Sequence, residues 1–177
     1  MSSILKNNHL QYDYIDCFQG VLIAKNDELT ISDACIAFLS SVRETVQKLS
    51  TIKAKIVSMV GLKAKPFKMQ KLDKFKYEAG EQLGILKVYE RSDNEITLGS
   101  NGTHFNFRIS LILGYTIIDK PRTLSMSTRV VFNNWLGRFY FSLIKPLHLI
   151  FSKILLGSTI RKLERKALLK DNNFNSI

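Results

Sequence analysis

The sequence predicts an α+β fold in which a curved antiparallel β-sheet wraps on a long C-terminal helix. Apolar residues alternate with polar residues in three successive segments between Leu86 and Phe132, a pattern typical of strands with one buried face. From Asn134 to about Leu169 the apolar spacing becomes helical. Because an antiparallel sheet must cover its apolar face, we expect this helix to pack against it.

The first part of the chain predicts one strand followed by two shorter helices. Residues Tyr14 to Ile23 are rich in β-branched and aromatic side chains, which favours a strand. A short helix is expected from Ser32 to about Leu39, with Thr30 or Ser32 as its N-cap. A second helix is predicted from Ser41 to Val60, since Ser41 and Glu44 form a capping-box pattern and Gly61 is a natural stop.

The register of the sheet is predicted from its turns. Asn101-Gly102 favours a two-residue hairpin, and folding there pairs Leu98 with Phe105, Ile96 with Phe107 and Glu95 with Arg108. A turn near Ser92 places Leu86 and Val88 opposite Leu98 and Ile96. A further turn joins strands at His104 to Ile118 and Thr123 to Phe132, pairing Leu111 with Val130, Ile109 with Phe132 and Tyr115 with Met126.

The long C-terminal helix is predicted to be amphipathic. The stripe expected to face the sheet is Leu136, Tyr140, Leu143, Leu147, Phe151 and Ile154, widened by Phe139, Ile144, Ile150 and Leu155. The opposite side is Arg138, Ser142, Lys145, Ser152 and Lys153. Pro146 is expected to kink or split the helix, and Gly157 is a second weak point. The stretch from Phe139 to Gly157 nearly reaches membrane-spanning length, but its lysines favour burial against the sheet.

The chain is strongly basic, with a formal net charge of +11, which favours anionic partners. Residues Lys63 to Gln82 read as a basic connection interleaved with aromatic residues. A solvated loop is favoured there over a functional surface. The candidates for an anionic-surface site are Lys63, Lys65, Lys68, Lys71, Lys74, Lys76, Arg161, Lys162, Arg165 and Lys166. No helix-turn-helix, zinc-finger or ribonucleoprotein motif indicates a nucleic acid.

One domain spanning residues 1–177 is predicted, with an ordered core at about 12–170 and flexible termini. Cys17 and Cys35 lie in apolar stretches, which favours buried free thiols in a reducing cytoplasm over a disulfide. Residues Met1 to Gln11 lack the apolar core of a signal peptide, so export is not indicated.

Few polar residues suggest chemistry, and the sequence predicts no catalytic residue, metal or cofactor. Glu95, His104 and Arg108 share one predicted sheet face, but that face points away from the core. We therefore expect an exposed salt bridge between Glu95 and Arg108, with His104 beside Gly99. His148 lies near the apolar stripe of the long helix and could present a polar tip to a ligand, although packing is the commoner role of such a histidine.

The chain resembles the START-like superfamily, also called Bet v 1-like or SRPBCC, whose fold is the helix-grip fold. More narrowly, it resembles an uncharacterised bacterial family of that superfamily. The matching motifs are Asp13-Tyr14-x-Asp16-x-Phe18, Val60-Gly61-Leu62-Lys63, Glu95-x-x-Leu98-Gly99, His104-x-x-Phe107-Arg108, Thr128-x-Val130, Asn134-x-x-Gly137-Arg138-x-Tyr140 and Pro146-Leu147-His148. The resemblance implies a hydrophobic cavity between sheet and long helix and no assigned reaction.

The favoured function is therefore the binding of an apolar small molecule or lipid. The candidate lining residues are Phe105, Phe107, Ile109, Leu111, Met126, Thr128, Val130, Tyr140 and His148. A basic protein that binds a membrane surface or another partner is the second hypothesis. A cyclase-like or aromatase-like enzyme on the same fold is the third. We expect a cytoplasmic protein, with attachment to the inner membrane under the second hypothesis, and the sequence leaves its oligomeric state open.

Overall fold

The computed structural model describes residues 11–23, 29–48, 76–83, 85–117 and 120–174. Within these ranges, six strands form one antiparallel sheet in the order β1-β6-β5-β4-β3-β2, accompanied by two helices. This arrangement confirms the predicted α+β class with a long C-terminal helix. The elements are β1 Tyr14–Leu22, α1 Ile31–Lys48, β2 Gln82–Leu83, β3 Leu86–Arg91, β4 Glu95–Asn101, β5 Phe105–Leu113, β6 Arg122–Phe132 and α2 Trp135–Phe174.

The two faces of the sheet have different surroundings. The inner face carries Leu98, Leu111 and Met126, which lie in the main apolar core with residues of both helices. The outer face carries the alternate residues of the same strands, among them Ser110 and Ser127. Since side chains alternate along a strand, every even-numbered residue of β1 from Tyr14 to Leu22 faces inward.

The predicted hairpin register is wrong by four residues, although the predicted faces are correct. Leu98 pairs with Ile109 instead of Phe105, and Arg108 lies opposite Gly99 instead of Glu95. Asn101 pairs with Asn106, so the turn is longer than the expected two-residue hairpin. A shift by an even number of residues keeps each side chain on its face, which explains why alternation alone did not detect the error.

The neighbouring hairpins also differ from the predicted register. Leu111 pairs with Met126 instead of Val130, because β5 ends at Leu113 and β6 begins at Arg122. Val88 pairs with Leu98, and an irregularity between Val88 and Glu90 shifts the rest of β3. Such a bulge inserts an extra residue, which turn length and alternation do not reveal.

Helix α1 is continuous from Ile31 to Lys48, so the predicted break at Ser41 is wrong. Ser41 Oγ donates to the Ala37 carbonyl at 2.8 Å, which places this hydroxyl inside the helix. The predicted cap at Thr30 is confirmed, because Asp33 N donates to Thr30 Oγ1 at 3.2 Å and Thr30 N donates to Asp33 Oδ2 at 3.0 Å. The remainder of the predicted second helix, residues 49–60, lies outside the described residues.

Helix α2 packs on the sheet and on α1, but only part of the predicted stripe takes part, since Phe151 packs against the main core. Leu143, Leu147 and Ile154 are exposed, whereas Phe141 and Ser152 are buried. The helix carries large apolar side chains on most of its sides, so apolar spacing does not identify the buried one. It also continues through Pro146 and Gly157, and the predicted split is wrong.

The start of α2 is fixed against the turn between β4 and β5. Asn134 Oδ1 accepts a hydrogen bond from Gly137 N at 3.0 Å, and Asn134 Nδ2 donates to the Thr103 carbonyl at 3.2 Å. Asn134 therefore caps the helix and joins it to the turn in one residue.

The inner face supports two apolar clusters. The main cluster joins α1 and the C-terminal half of α2 to the sheet, with Phe38, Leu98 and Leu163 among its most buried residues. The smaller cluster is formed by Phe105, Val130 and Phe141. Cys35 belongs to the main cluster, and burial raises the pKa of its thiol to about 12. Cys17 is a free thiol exposed on the outer face, so the expectation that both cysteines are buried is wrong.

Candidate functional site

A group of polar side chains lies on the inner face, where β1 and β6 meet α2. Asp16 Oδ2 accepts hydrogen bonds from Tyr14 Oη and His148 Nε2, both at 2.8 Å. Asp16 Oδ1 accepts a hydrogen bond from the backbone N–H of Thr128 at 3.2 Å. We name Tyr14, Asp16, Thr128 and His148 the Asp16 cluster.

The local sequence explains how the Asp16 cluster assembles. Tyr14 and Asp16 are two residues apart in β1 and so face the same side, and Asp16 pairs directly with Thr128 of β6. On α2, residues Phe141, His148 and Ser152 follow helical spacing along the side that meets the sheet. Polar groups of β1, β6 and α2 therefore meet at one point.

Asp16 is the most enclosed charged group of this site, with 9% of its side chain exposed, against 24% for His148. Burial alone would raise the pKa of Asp16, but hydrogen bonds from His148, Tyr14 and Thr128 together hold that pKa below its ordinary value. Burial and the adjacent Asp16 carboxylate raise the pKa of the Tyr14 hydroxyl. Asp16 is thus an ionised acceptor, and Tyr14 is a proton-bearing donor.

The geometry of the Asp16 cluster differs from a nucleophile relay. Ser152 Oγ lies 3.5 Å from His148 Nε2, the same ring nitrogen that faces Asp16. A Ser-His-Asp relay needs the carboxylate and the hydroxyl on opposite ring nitrogens. Among the described residues, no group of three His, Cys, Asp or Glu side chains could hold a metal ion. The arrangement is suited to hydrogen bonding with a bound molecule.

Aromatic rings surround the polar groups. The Phe141 ring lies 4.6 Å from the Tyr14 ring and 5.3 Å from the Phe132 ring, centroid to centroid. Lys145 Nζ lies 5.3 Å from the centroid of Tyr14, which places one cation beside the cluster. The site therefore combines a small polar centre with an apolar surrounding.

The predicted lining residues of the strands all lie on the inner face. These are Phe105, Phe107, Ile109, Leu111, Met126, Thr128 and Val130. Of the two predicted residues on α2, His148 joins the Asp16 cluster. Tyr140 instead lies beside His104, with ring centroids 6.1 Å apart.

The predicted outer-face salt bridge does not form. Glu95 is 3% exposed and accepts a hydrogen bond from Ser110 Oγ at 2.5 Å. The Arg108 guanidinium stacks over Tyr89, 3.5 Å from its ring centroid. His104 Nδ1 lies 3.3 Å from Asn134 Oδ1 at the start of α2, so the structure does not bring the three residues together.

Two members of the Asp16 cluster, Thr128 and His148, were predicted from the sequence as ligand-contacting residues, whereas Tyr14 and Asp16 were missed. The missed signal was Asp16 itself, since alternation in β1 places this carboxylate on the same face as Phe18. A carboxylate on a predicted core face requires a partner, and a search for one leads to His148.

The basic candidates are only partly described. Lys63, Lys65, Lys68, Lys71 and Lys74 lie outside the described residues. Lys76, Arg161 and Arg165 are exposed. Lys162 pairs with Glu44, and Lys166 pairs with Asp33 at 2.5 Å, so these two lysines also join α2 to α1.

Fold and site together define an α+β protein whose sheet holds a long helix through a buried, hydrogen-bonded polar cluster. The chain belongs to the family described as "Protein of unknown function (DUF2867)", which matches residues 10–154. That match includes all four residues of the Asp16 cluster. No curated protein and no solved structure matches the chain.

Proposed function

We propose that the protein binds an apolar small molecule or lipid between the sheet and α2, and that it is a member of the START-like superfamily. The observation that carries this proposal is the Asp16 cluster, a polar centre between two apolar clusters on a face that meets both helices. Ligand sites typically combine an apolar lining with a few convergent polar groups.

Incomplete burial next to the Asp16 cluster supports the same function. Phe107 and Ile109 lie on the inner face of β5, a central strand, yet they are only partly buried. Central apolar residues are ordinarily covered, so these side chains are available to an apolar molecule. The apolar part of a ligand would contact Phe107 and Ile109, and its polar end would face His148 and Lys145.

The test is native mass spectrometry of the purified protein, with extraction and identification of any co-purifying molecule. We expect one apolar molecule per chain. Ile109→Trp, which fills space on the inner face, should abolish this binding without unfolding the protein. The matched control is Ile112→Trp, because Ile112 belongs to the same strand but lies on the outer face.

Equal occupancy in Ile109→Trp and wild type would contradict the proposed location. Protein that carries no apolar molecule, and acquires none from a lipid extract, would contradict the proposed function. Circular dichroism of both variants separates lost binding from lost folding.

A further inference from the structure

The side of α2 that faces away from the sheet carries a continuous row of large apolar side chains. Their exposed fractions run from 50% for Ile154 to 74% for Trp135. We name this row the outer stripe. Its members are Trp135, Phe139, Leu143, Leu147, Ile150 and Ile154.

The spacing of the outer stripe places its members on one side of the helix. Successive members are three or four residues apart, which aligns them along about 28 Å of helix. Phe141, His148 and Ser152 lie on the opposite side and meet the sheet. The outer stripe is thus fixed in an outward orientation by the contacts of the inner side.

An exposed apolar surface of this length indicates an interaction site. The charges beside it identify the partner. Between residues 135 and 160 the helix has no acidic side chain. The exposed Arg161 and Arg165 lie seven and eleven residues after Ile154, which places them on the same side of the helix as the outer stripe, whereas the exposed cations within that range contact the sheet side. Amphipathic helices that lie in the interface of an anionic bilayer combine large apolar residues with flanking cations.

We propose that α2 lies along the surface of an anionic membrane, with the outer stripe inserted among the lipids and with Arg161 and Arg165 facing the head groups. Two alternatives, an interface with a second copy of the chain and a membrane span, fit less well. A second copy of this chain would carry the same net charge of +11, which opposes self-association. This inference goes beyond ligand binding and does not depend on it.

A membrane span is the second alternative. Trp135–Leu169 is long and apolar enough to cross a bilayer, and 22% of its most apolar window is buried. However, the inner side of the same helix is joined to the sheet through His148 and Asp16. Crossing the bilayer would bring this hydrogen-bonded pair into hydrocarbon or break it, whereas lying on the surface preserves it.

The chain supplies its own reporter, because Trp135 is its only tryptophan and belongs to the outer stripe. The experiment adds vesicles of phosphatidylglycerol and phosphatidylcholine, or of phosphatidylcholine alone, to the purified protein. We expect the Trp135 emission to shift to shorter wavelength with the anionic vesicles only, and the shift to weaken as salt is added.

The test variant replaces Phe139, Leu143 and Leu147 with Gln, and it should bind anionic vesicles at least tenfold more weakly. The matched control replaces Ile15, Val21 and Ile23 with Thr. These residues are also apolar and at least half exposed, but they belong to β1 or follow it directly. The control should bind like wild type, and unchanged circular dichroism should show that both variants fold.

Four results would overturn the proposal. The first is equal vesicle binding by the test variant and the control. The second is the absence of any vesicle-induced shift in wild type. The third is dimerisation that the test variant abolishes while wild type binds no vesicles. The fourth is resistance of membrane-bound protein to alkaline extraction, which would indicate a span.

Discussion

At the scale of single residues, Asp16 connects three elements of the fold. Its two carboxylate oxygens accept from β1, β6 and α2. A buried carboxylate is tolerated only when such partners replace water, and here they are two side chains and one backbone N–H. Asp16 thereby adds a hydrogen bond to the apolar contacts that hold the inner side of α2 on the sheet.

Replacement of Asp16 by Asn should lower the free energy of unfolding by about 1–3 kcal/mol at pH 7, because His148 and Tyr14 lose a charged acceptor. It should also change the acid dependence. A lowered folded-state pKa means that Asp16 contributes stability above its unfolded pKa of about 3.9, and that this contribution is lost as pH falls through the folded value.

Urea denaturation of wild type and Asp16→Asn from pH 7 to pH 3 measures both effects. The variant should lose less stability than wild type on acidification. Some loss should remain, because Asp33, despite its burial, also has a lowered pKa through its contacts with Lys166 and Thr30. The control is Asp93→Asn, an exposed position. Parallel pH curves for Asp16→Asn and wild type would contradict the role of Asp16.

At the residue scale, the sequence predicted on which face of the sheet a side chain lies, but it did not predict whether that side chain is buried. Alternation correctly placed Glu95 on the outer face, but it gave no reason to expect a buried glutamate there. Burial at that position depends on neighbours across the strands, including the Ser110 hydroxyl that bonds to Glu95. Asp16 was overlooked for the same reason, since a partner 132 residues away has no local signal.

At the scale of elements, β1, β3 to β6 and the long helix could be predicted, whereas β2, the continuity of α1, the register of the sheet and the rotation of α2 could not. The Asn101-Gly102 signal suggested a two-residue turn, but the structure closes a longer one, in which Gly102 N donates to the Phe105 carbonyl at 3.1 Å. Asn133 Nδ2 also donates to the Gly102 carbonyl at 2.7 Å. A residue directly after β6 thus helps to set a turn that local propensity alone would make shorter.

The close approach of α2 to that turn gives a prediction for Gly137. A Cβ added there would lie 2.1 Å from the His104 carbonyl oxygen, a backbone atom that cannot move independently. Gly137→Ala should therefore lower the free energy of unfolding by about 1–3 kcal/mol.

Gly157→Ala is the matched control in the same helix, because its Cβ would have no neighbour closer than 3.8 Å. Alanine should raise stability there by about 0.5–1 kcal/mol through its helix propensity. Urea midpoints of the two variants report the difference. A neutral Gly137→Ala would show that α2 does not approach the β4–β5 turn this closely.

At the scale of the whole molecule, the sequence predicted a sheet covered by a long helix, and the structure confirms it. The sequence did not predict which face of that helix is covered. Large apolar residues favour burial in general, yet here the inner side includes His148 and Ser152 while Leu143 and Leu147 face outward. The inner side also buries Phe141, Leu156 and Leu163, so both sides of the helix are apolar and a pattern of hydrophobicity cannot identify the covered one.

Both proposals depend on this orientation of α2, since it places His148 at the ligand site and the outer stripe at the membrane. Thiol labelling tests it directly. The variants Leu147→Cys and Ser152→Cys are made in a Cys17→Ser background and each is treated with a maleimide dye. Cys35 is fully buried and should not react. We expect rapid labelling of Leu147→Cys and far slower labelling of Ser152→Cys. Rapid labelling of Ser152→Cys with protection of Leu147→Cys would mean that α2 presents its other side to the sheet, and it would contradict the account.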